Sequence, residues 1–306
     1  MNYNMSSYRK KHFYYKSEAS CKRKEIFQET LDFITTNKEK YGLNKHIIKT
    51  YRSDKPYIST PTDTTLIKFV NMDTLDCVMD IINKTNRKVS ALVMASERSR
   101  GGGVVNGALA QEEDVARRSD FYPALFDVKY PLDQYETIAI KNCQIIRKNE
   151  ANEYKFLDSP YSFVALNAPA FRRPAISTSN GIKKFKYLMR RKIRILLNAS
   201  LNEDCKDIVL SAWGCGAFKN PPELVAECFK EEINENYKNK FKTIIFAIID
   251  NSKSDNLNIF KTCFSSNEDN NNNKDVVNND KVVNKEVVNK ETKNNFPSIN
   301  DIFNLH

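Results

Sequence analysis

Short apolar runs separated by amphipathic helical segments are the feature that most limits the fold of this chain. Val89 to Met94, Asp207 to Ala212 and Thr243 to Ile249 are apolar enough to be strands buried on both faces of a sheet. Residues 17–36 and 183–199 instead carry apolar side chains at helical spacing. Strands that alternate with helices predict an α/β domain, with helices on both faces of a mixed or parallel sheet.

Composition divides the chain into one folded part and two ends. The chain has 306 residues, 41% of them hydrophobic, which is enough for one large domain. We expect a flexible amino terminus over residues 1–16, one domain over 17–262 and a mostly disordered tail over 263–306. Residues 267–295 are mainly Asn, Lys, Asp and Glu, and this composition is too polar to compensate for the entropy lost on ordering.

Several classes of protein are disfavoured by the same composition. No apolar run reaches the length of about 18 residues that a membrane span requires, so we expect no membrane partner. The first 15 residues lack the apolar core of a secretory signal. The seven cysteines form no Cys-x-x-Cys pair and the three histidines are scattered, which favours reduced thiols and predicts no metal site. We therefore expect an intracellular protein, cytoplasmic or nuclear.

The net charge of +10 leaves two interpretations open. Fixed positive charge attracts polyanions, which predicts a weak affinity for phosphate-rich polymers. A solvated, lysine-rich surface without a partner explains the charge equally well. Residues 183–199 concentrate the basic residues on a predicted amphipathic helix.

Three consecutive glycines follow the first apolar run and precede a helix predicted over about 110–119. Gly101, Gly102 and Gly103 lack a Cβ atom, so the backbone can adopt positive φ there and approach a ligand closely. Amides at the start of the next helix can hold an anion. The loop is a candidate cradle for a ribose or a diphosphate, although a glycine loop of this kind is more often only a turn.

The helix after this loop begins with Gln111, Glu112 and Glu113. Successive helical residues point about 100° apart, so we expect one carboxylate to face a cleft and the other to be directed elsewhere. One acid and one orienting group is a reasonable division of roles. Acidic residues in a first turn also simply stabilise the helix dipole, and this second interpretation remains open.

A second group of small residues follows the second apolar run. Gly214, Cys215, Gly216 and Ala217 lie where a strand of the predicted sheet ends, which is where open α/β sheets bind ligands. Phe218 is suited to packing on a ribose or a base. Two such loops on two strands are stronger evidence for a ligand site than either loop alone.

These motifs together resemble those of the microbial-type poly(ADP-ribose) glycohydrolases. The three glycines, seven further residues and Gln111-Glu112-Glu113 are similar to the GGG-x(6–8)-QEE signature of that family. The stretch SAWGCGAFKNPP over residues 211–222 is similar to the second ligand loop of the bacterial-type branch. The likeness in order and character extends from about Lys22 to Asp250.

The resemblance implies a macrodomain-like three-layer sandwich, with a mixed sheet flanked by helices and an N-terminal helical extension. Glu113 matches the catalytic acid of the family, and Glu112 would orient the ribose hydroxyls. The residues implied to bind the substrate are Gly101, Gly102, Gly103, Val104, Ala108, Gln111, Gly214, Cys215, Gly216, Ala217 and Phe218. The resemblance implies no metal or organic cofactor, and we expect a monomer.

The activity implied is hydrolysis of the ribose–ribose O-glycosidic bond, with poly(ADP-ribose) or ADP-ribosylated protein as the partner. Two alternatives remain: a reader that binds ADP-ribose without cleaving it, and a hydrolase of mono-ADP-ribose on protein or nucleic acid. The retained acidic pair favours an enzyme.

Two short segments depart from the family pattern. Ser99-Arg100 stands where relatives have Asn-Pro, and Val93-Met94-Ala95 stands where they have Asn-Phe-Ala. Loss of the fixed φ of proline is expected to loosen the glycine loop, and loss of the amide at position 93 to remove a ribose contact. These departures favour the reader.

Overall fold

The structure, a computed structural model, describes residues 17–58, 64–250 and 254–265 of the chain. The predicted flexible amino terminus, and the predicted tail from residue 266 onward, lie outside these residues. Among those described, seven strands form one sheet. The strands are β1 (Ile47–Tyr51), β2 (Leu66–Val70), β3 (Val89–Ala95), β4 (Thr137–Arg147), β5 (Phe156–Pro169), β6 (Asp207–Leu210) and β7 (Thr243–Ala247).

The α-helices of the described residues lie between these strands and at both ends. They are α1 (Glu18–Tyr41), α2 (Thr74–Thr85), α3 (Gln111–Arg118), α4 (Phe121–Ala124), α5 (Ser179–Asn202), α6 (Pro222–Asn236) and α7 (Asn256–Ser265). None of them combines the length and the apolarity needed to span a bilayer.

The sheet is mixed, in the order β1-β4-β5-β3-β6-β7-β2. Strand β3 is parallel to β5 on one side and to β6 on the other, and β6, β7 and β2 continue the parallel part. Strand β4 pairs antiparallel with both β5 and β1. The predicted α/β fold with a mixed sheet flanked by helices is confirmed, and so is the N-terminal helix.

Two apolar cores cover the two faces of the sheet. Alternate residues of β3 divide between them, since Leu92 belongs to one core and Val93 to the other. Helices α5, α6 and α7 pack on the Leu92 face, and α1 to α4 pack on the Val93 face. This burial on both faces explains why β3, β6 and β7 are continuous apolar runs in the sequence.

Helix α7 extends the folded part beyond the predicted domain boundary at residue 262. Phe260 is fully buried and Leu257 is nearly so, and the ring centroid of Phe260 lies 5.5 Å from that of Phe246 in β7. The apolar residues of α7 recur at helical spacing, but the segment adjoins the polar low-complexity sequence that suggested a tail. Residues 263–265, assigned to that tail, are therefore the last residues of a packed helix.

The basic residues of α5 lie beside an acidic row on α6. Lys186 Nζ lies 2.7 Å from a Glu227 oxygen, and Arg190 Nε lies 2.6 Å from Glu232 Oε1. Arg194 shares the Glu232 carboxylate at 2.7 Å. The predicted basic amphipathic helix is present, but these three cations pair with α6 and are not available to bind a polymer.

Candidate active site

The loops predicted to bind a ligand follow neighbouring strands. The first covers residues 96–110 after β3, and the second covers residues 211–221 after β6. Because β3 and β6 are parallel neighbours, both loops lie at the same edge of the sheet, where adjacent strands are about 5 Å apart. A third segment, residues 170–178, follows β5 on the other side of β3.

Both glutamates at the start of α3 are buried against the first loop. Glu112 is 3% exposed and its Oε2 accepts a hydrogen bond from the Ser96 amide at 2.7 Å. Glu113 is 8% exposed and its Oε1 accepts from the Gly103 amide at 2.8 Å. The two carboxylates were expected to be directed apart. Their oxygen atoms instead lie against the same residue of the loop, Gly102, so this expectation is wrong. The loop curls over the helix start, so that side chains leaving in different directions meet the same segment of main chain.

Gly102 lies directly against both carboxylates. A Cβ atom there would come within 2.4 Å of Glu113 Oε1 and 3.0 Å of Glu112 Oε2, and the residue has a φ of +59°. The absence of a side chain therefore allows the backbone to cover both acids. Gly101, with a φ of +63°, is excluded from carrying a side chain by the ring of Tyr122.

The Glu112 carboxyl has two properties that suit a reacting group. Its pKa is raised to about 8, chiefly because burial disfavours the charged form and also because the Glu113 carboxylate is nearby. Its Oε1 has no hydrogen-bond partner among the described residues. At neutral pH this carboxyl holds a proton and has one oxygen unused by the protein.

The other predicted residues of the first loop serve its structure. Gln111 uses its whole amide: Oε1 accepts from the Met94 amide at 2.8 Å, and Nε2 donates to the Leu92 carbonyl at 2.7 Å. Val104 is fully buried, and its amide donates to the Gly101 carbonyl. Ala108 is half-buried, and its Cβ would meet a side chain on Gly103 at 2.9 Å. These residues hold the loop and the carboxylates together.

Arg100 fixes the loop that its presence was expected to loosen. Its Nε donates to the Leu125 carbonyl at 2.8 Å and its Nη2 to the Val128 carbonyl at 3.2 Å. The guanidinium also lies over the rings of Tyr130, at 5.1 Å, and Phe126, at 5.8 Å. A proline would restrain this loop by fixing φ, whereas Arg100 restrains it through side-chain hydrogen bonds to two carbonyls. The spacing of residues in the sequence does not reveal these hydrogen bonds.

Asn167 is a candidate site residue that the sequence reasoning missed. It is fully buried on β5, directly in register with Val93 of β3, where the family amide is lost. Its Nδ2 donates to the Tyr130 hydroxyl at 3.4 Å, and its Oδ1 has no partner among the described residues. An asparagine inside the apolar run of β5 was the available signal, because buried amides are normally fully hydrogen-bonded.

The second loop has a rigid base and an open rim. Gly214 has a φ of +77°, and a Cβ there would lie 2.5 Å from the Asn220 amide nitrogen and 2.6 Å from Ala170. The Asn220 Nδ2 donates to the carbonyls of Phe171, at 2.6 Å, and Gly214, at 3.0 Å. Gly216, in contrast, has no atom within 4 Å of its Cβ position.

The rim of this loop presents main-chain donors. Among the described residues, no acceptor takes a hydrogen bond from the amides of Gly216, Ala217 or Phe218. Phe218 is half-buried against the apolar core. Burial raises the pKa of the Cys215 thiol to about 12, so this side chain is neutral and not a nucleophile at neutral pH. Free amides beside a half-exposed ring are suited to an anion attached to a sugar.

Two other features do not compete with this site. A depression of about 540 Å³ lies beside β1 and β4 and is lined by both acidic and basic side chains, without either ligand loop. His46, Asp120 and Cys143 bring ligand-type atoms within 4.8 Å of one another. However, both Asp120 oxygens accept backbone amides, and burial raises the pKa of the Cys143 thiol well above its ordinary value. The Asp120 carboxylate is therefore used by the main chain and the Cys143 thiol is neutral, so we do not regard this cluster as a metal site.

Comparison with known proteins identifies the motifs. Residues 9–147 match a family model described as the catalytic domain of microbial-type PARG, poly(ADP-ribose) glycohydrolase. The crystal structure of this enzyme from Thermomonospora curvata has a TM-score of 0.69 and 24% identity, over 79% of this chain and 99% of that chain. The enzyme from Deinococcus radiodurans in complex with ADP-ribose has a TM-score of 0.61 and 24% identity, over 73% and 95%. No curated relative matches the chain.

The matched part of the chain contains the first ligand loop and both glutamates of α3. At these identities the structural likeness establishes the fold, and the family match adds the motifs. The matched family model describes the catalytic domain of a glycohydrolase. The predicted resemblance is confirmed: this chain carries the microbial-type poly(ADP-ribose) glycohydrolase match over residues 9–147 and has the fold of the bacterial enzymes of that family.

Proposed function

We propose that this protein is a poly(ADP-ribose) glycohydrolase that hydrolyses the ribose–ribose O-glycosidic bond and releases ADP-ribose. The observation that carries the proposal is the convergence of two buried carboxyl groups, Glu112 and Glu113, on a glycine loop that lies beside a second loop with free amides. A glycosidase needs a carboxyl group that can transfer a proton next to a site that binds the substrate.

Glu113 is the general acid and base in this proposal. It gives a proton to the leaving ribose oxygen as the bond from that oxygen to the anomeric carbon breaks. It then takes a proton from the water whose oxygen bonds to the same carbon, so one water is consumed and the acid is regenerated. Glu112 supports the step because its pKa of about 8 keeps a proton beside Glu113 at neutral pH.

The remaining contacts orient the substrate. The free amides of Gly216, Ala217 and Phe218 would bind the diphosphate, and the Phe218 ring would pack on the ribose. The unpartnered Oε1 of Glu112 would interact with a ribose hydroxyl, since an unpaired buried oxygen gains a hydrogen bond there. We assign Asn167 to the support of this region through its contact with Tyr130.

The alternative of a reader rested on the departures before the glycines. Arg100 anchors the loop through two main-chain carbonyls, and an amide lies in register with Val93 on the neighbouring strand. The loop is therefore still anchored, and a buried amide lies beside the position where the ribose contact is lost. We favour the enzyme for this reason.

The test is cleavage of labelled poly(ADP-ribose) by the wild type and by Glu113→Gln. We expect the wild type to release ADP-ribose and the variant to be slower by roughly 100-fold to 10,000-fold, the usual effect of removing a general acid. Glu18→Gln, in the exposed first turn of α1, is the matched control and should retain full activity.

Two results would contradict the proposal. Tight binding of the polymer without cleavage by either protein would identify a reader. Release of ADP-ribose from mono-ADP-ribosylated protein or nucleic acid, with no cleavage of the polymer, would identify the third candidate function.

A further inference from the structure

Most arginines of the described residues are held in ion pairs or in hydrogen bonds to the main chain. Arg118, for example, is fully buried and pairs with the carboxylates of Asp73, Asp76 and Asp114. Three cations of α5, Lys186, Arg190 and Arg194, pair with α6 as described above. The net positive charge therefore does not by itself provide a surface for a polyanion.

Three basic residues at the rim of the candidate site are an exception. Arg172, Arg173 and Lys219 are all exposed. Among the residues that the structure describes, no carboxylate pairs with any of these three side chains. Their charges are available to a partner in solution.

These residues belong to two segments that are fastened together. The Arg173 amide donates to the Phe218 carbonyl at 2.7 Å, and Asn220 Nδ2 donates to the Phe171 carbonyl at 2.6 Å. Arg172 lies between Phe171 and Arg173, the two residues that make these hydrogen bonds. Lys219 directly follows Phe218 in the second loop. The three cations thus adjoin the free amides of residues 216–218.

The backbone gives a second reason to regard these side chains as functional. Arg173 has a φ of +49° and Lys219 a φ of +59°, in the left-handed region that glycine or asparagine adopts at lower cost. Long basic side chains occupy two such positions at the junction of the two segments. Backbone strain of this kind clusters at functional sites, although Glu153, Tyr154 and Asp204 also have a positive φ outside the ligand loops.

We propose that Arg172, Arg173 and Lys219 form a second phosphate-binding surface, which engages the ADP-ribose unit next to the terminal one and makes the protein selective for polymer. This inference rests on the proposed function. The free amides of the second loop are assigned above to the diphosphate of one terminal unit. Three further cations next to them match the phosphates that only a longer chain carries. Guanidinium groups are well suited to this role because one group can donate hydrogen bonds to two phosphate oxygens at once.

Binding should be measured in the Glu113→Gln background, so that the polymer is not consumed. The test variant is Arg172→Gln/Arg173→Gln/Lys219→Gln. Its control, Lys68→Gln/Lys238→Gln/Lys242→Gln, removes the same charge from exposed positions on β2 and in the connection between α6 and β7. The ligands are long poly(ADP-ribose), single ADP-ribose and single-stranded DNA with a matched number of phosphates, each at low and at high salt.

We expect the test variant to bind polymer at least about tenfold more weakly at low salt, with a slope of log affinity against log salt that is shallower by about two. Its affinity for single ADP-ribose should stay within about twofold, because that ligand lacks the additional phosphates. The control variant should bind both as the parent does.

Four results would overturn the inference: no change in polymer binding, an equal loss in the control variant, an equal loss for single ADP-ribose, or an equal affinity and loss for DNA. The first two would make the charges incidental or non-specific. The third would assign the residues to loop structure, and the fourth to nucleic acid. Cleavage by the wild type is measured separately, so failure of the proposed function is distinguishable from failure of this surface.

Discussion

Gly102 is the residue on which the geometry of the acidic pair most directly depends. A methyl group there would lie 2.4 Å from Glu113 Oε1, and the φ of +59° is unfavourable for any other residue that replaces it. We expect Gly102→Ala to lower the free energy of unfolding by about 1–2 kcal/mol through the left-handed backbone alone. Displacement of the Glu113 carboxyl should also reduce polymer cleavage by roughly tenfold or more.

Gly216→Ala is the matched control for this change. Gly216 has no neighbour within 4 Å of its Cβ position and no positive φ, so the added methyl group meets neither a contact nor strain. Its stability, measured by urea unfolding, should stay within about 0.5 kcal/mol of the wild type. Equal losses of unfolding free energy in the two variants would mean that Gly102 is not closed against the carboxyl groups.

Individual residues differ in how far the sequence reveals their role. Glu112, Glu113 and the three glycines could be found because they are close in the chain, and their spacing is a motif. Asn167 could not, because its relation to Val93 depends on the pairing of β3 with β5 across 74 positions. The raised pKa of Glu112 likewise arises from burial, which only the folded chain creates.

The first ligand loop, as an element, depends on the anchor at Arg100. Arg100→Ala removes two charge-assisted hydrogen bonds to the Leu125 and Val128 carbonyls and the contact with Tyr130. Because Arg100 is itself partly exposed to solvent, we expect a loss of about 0.5–1.5 kcal/mol in unfolding free energy, and slower polymer cleavage because the loop carries the amide that holds Glu113. Arg98→Ala, an exposed position in the same loop, should have little effect in the same two measurements. If the Arg100 and Arg98 variants behave alike, the guanidinium does not restrain the loop.

Helix α7 is an element whose removal tests the corrected domain boundary. A chain that ends at Ser265 keeps the buried Phe260 and Leu257, whereas one that ends at Asp255 exposes the surface they cover on β7. We expect the longer chain to unfold like the full-length protein and the shorter one to lose several kcal/mol of stability. Phe260→Ala in the full chain should itself cost about 3–5 kcal/mol. Thermal unfolding of the full-length protein, the two truncated chains and the Phe260→Ala variant checks this. Equal stability of both truncated chains would show that α7 does not contribute to the core.

The elements themselves could be predicted to within a few residues where their apolar pattern is long. Strand β3, predicted over 89–94, spans Val89–Ala95, and the helix predicted over 183–199 spans Ser179–Asn202. Strand β1 escaped prediction because its edge position leaves most of its side chains partly exposed, which removes the apolar signal. Helix α7 was not predicted because it adjoins the polar low-complexity sequence, although its own apolar residues recur at helical spacing.

At the scale of the whole molecule, two buried ionisable groups should make stability depend on pH in opposite directions. Glu112 has a pKa raised from 4.5 to about 8, so the folded state binds more protons than the unfolded state between these values. Stability therefore falls as the pH rises through that window. Lys192, enclosed by Phe171 and Trp213, has a pKa lowered from 10.5 to about 7, chiefly by burial. The unfolded state binds more protons between 7 and 10.5, so stability rises there.

Single substitutions separate these two contributions, because titrating groups that do not interact with the substituted residue cancel in the comparison with the wild type. Glu112→Gln should gain stability relative to the wild type as the pH rises from 4.5 to 8, by an amount on the order of a few kcal/mol. Lys192→Met should lose stability relative to the wild type as the pH rises from 7 to 10.5. Urea unfolding across this range measures both differences. A difference for Glu112→Gln that does not change with pH would mean that this carboxyl is not protonated at neutral pH, and the proton supply assumed for the acidic pair would be lost with it.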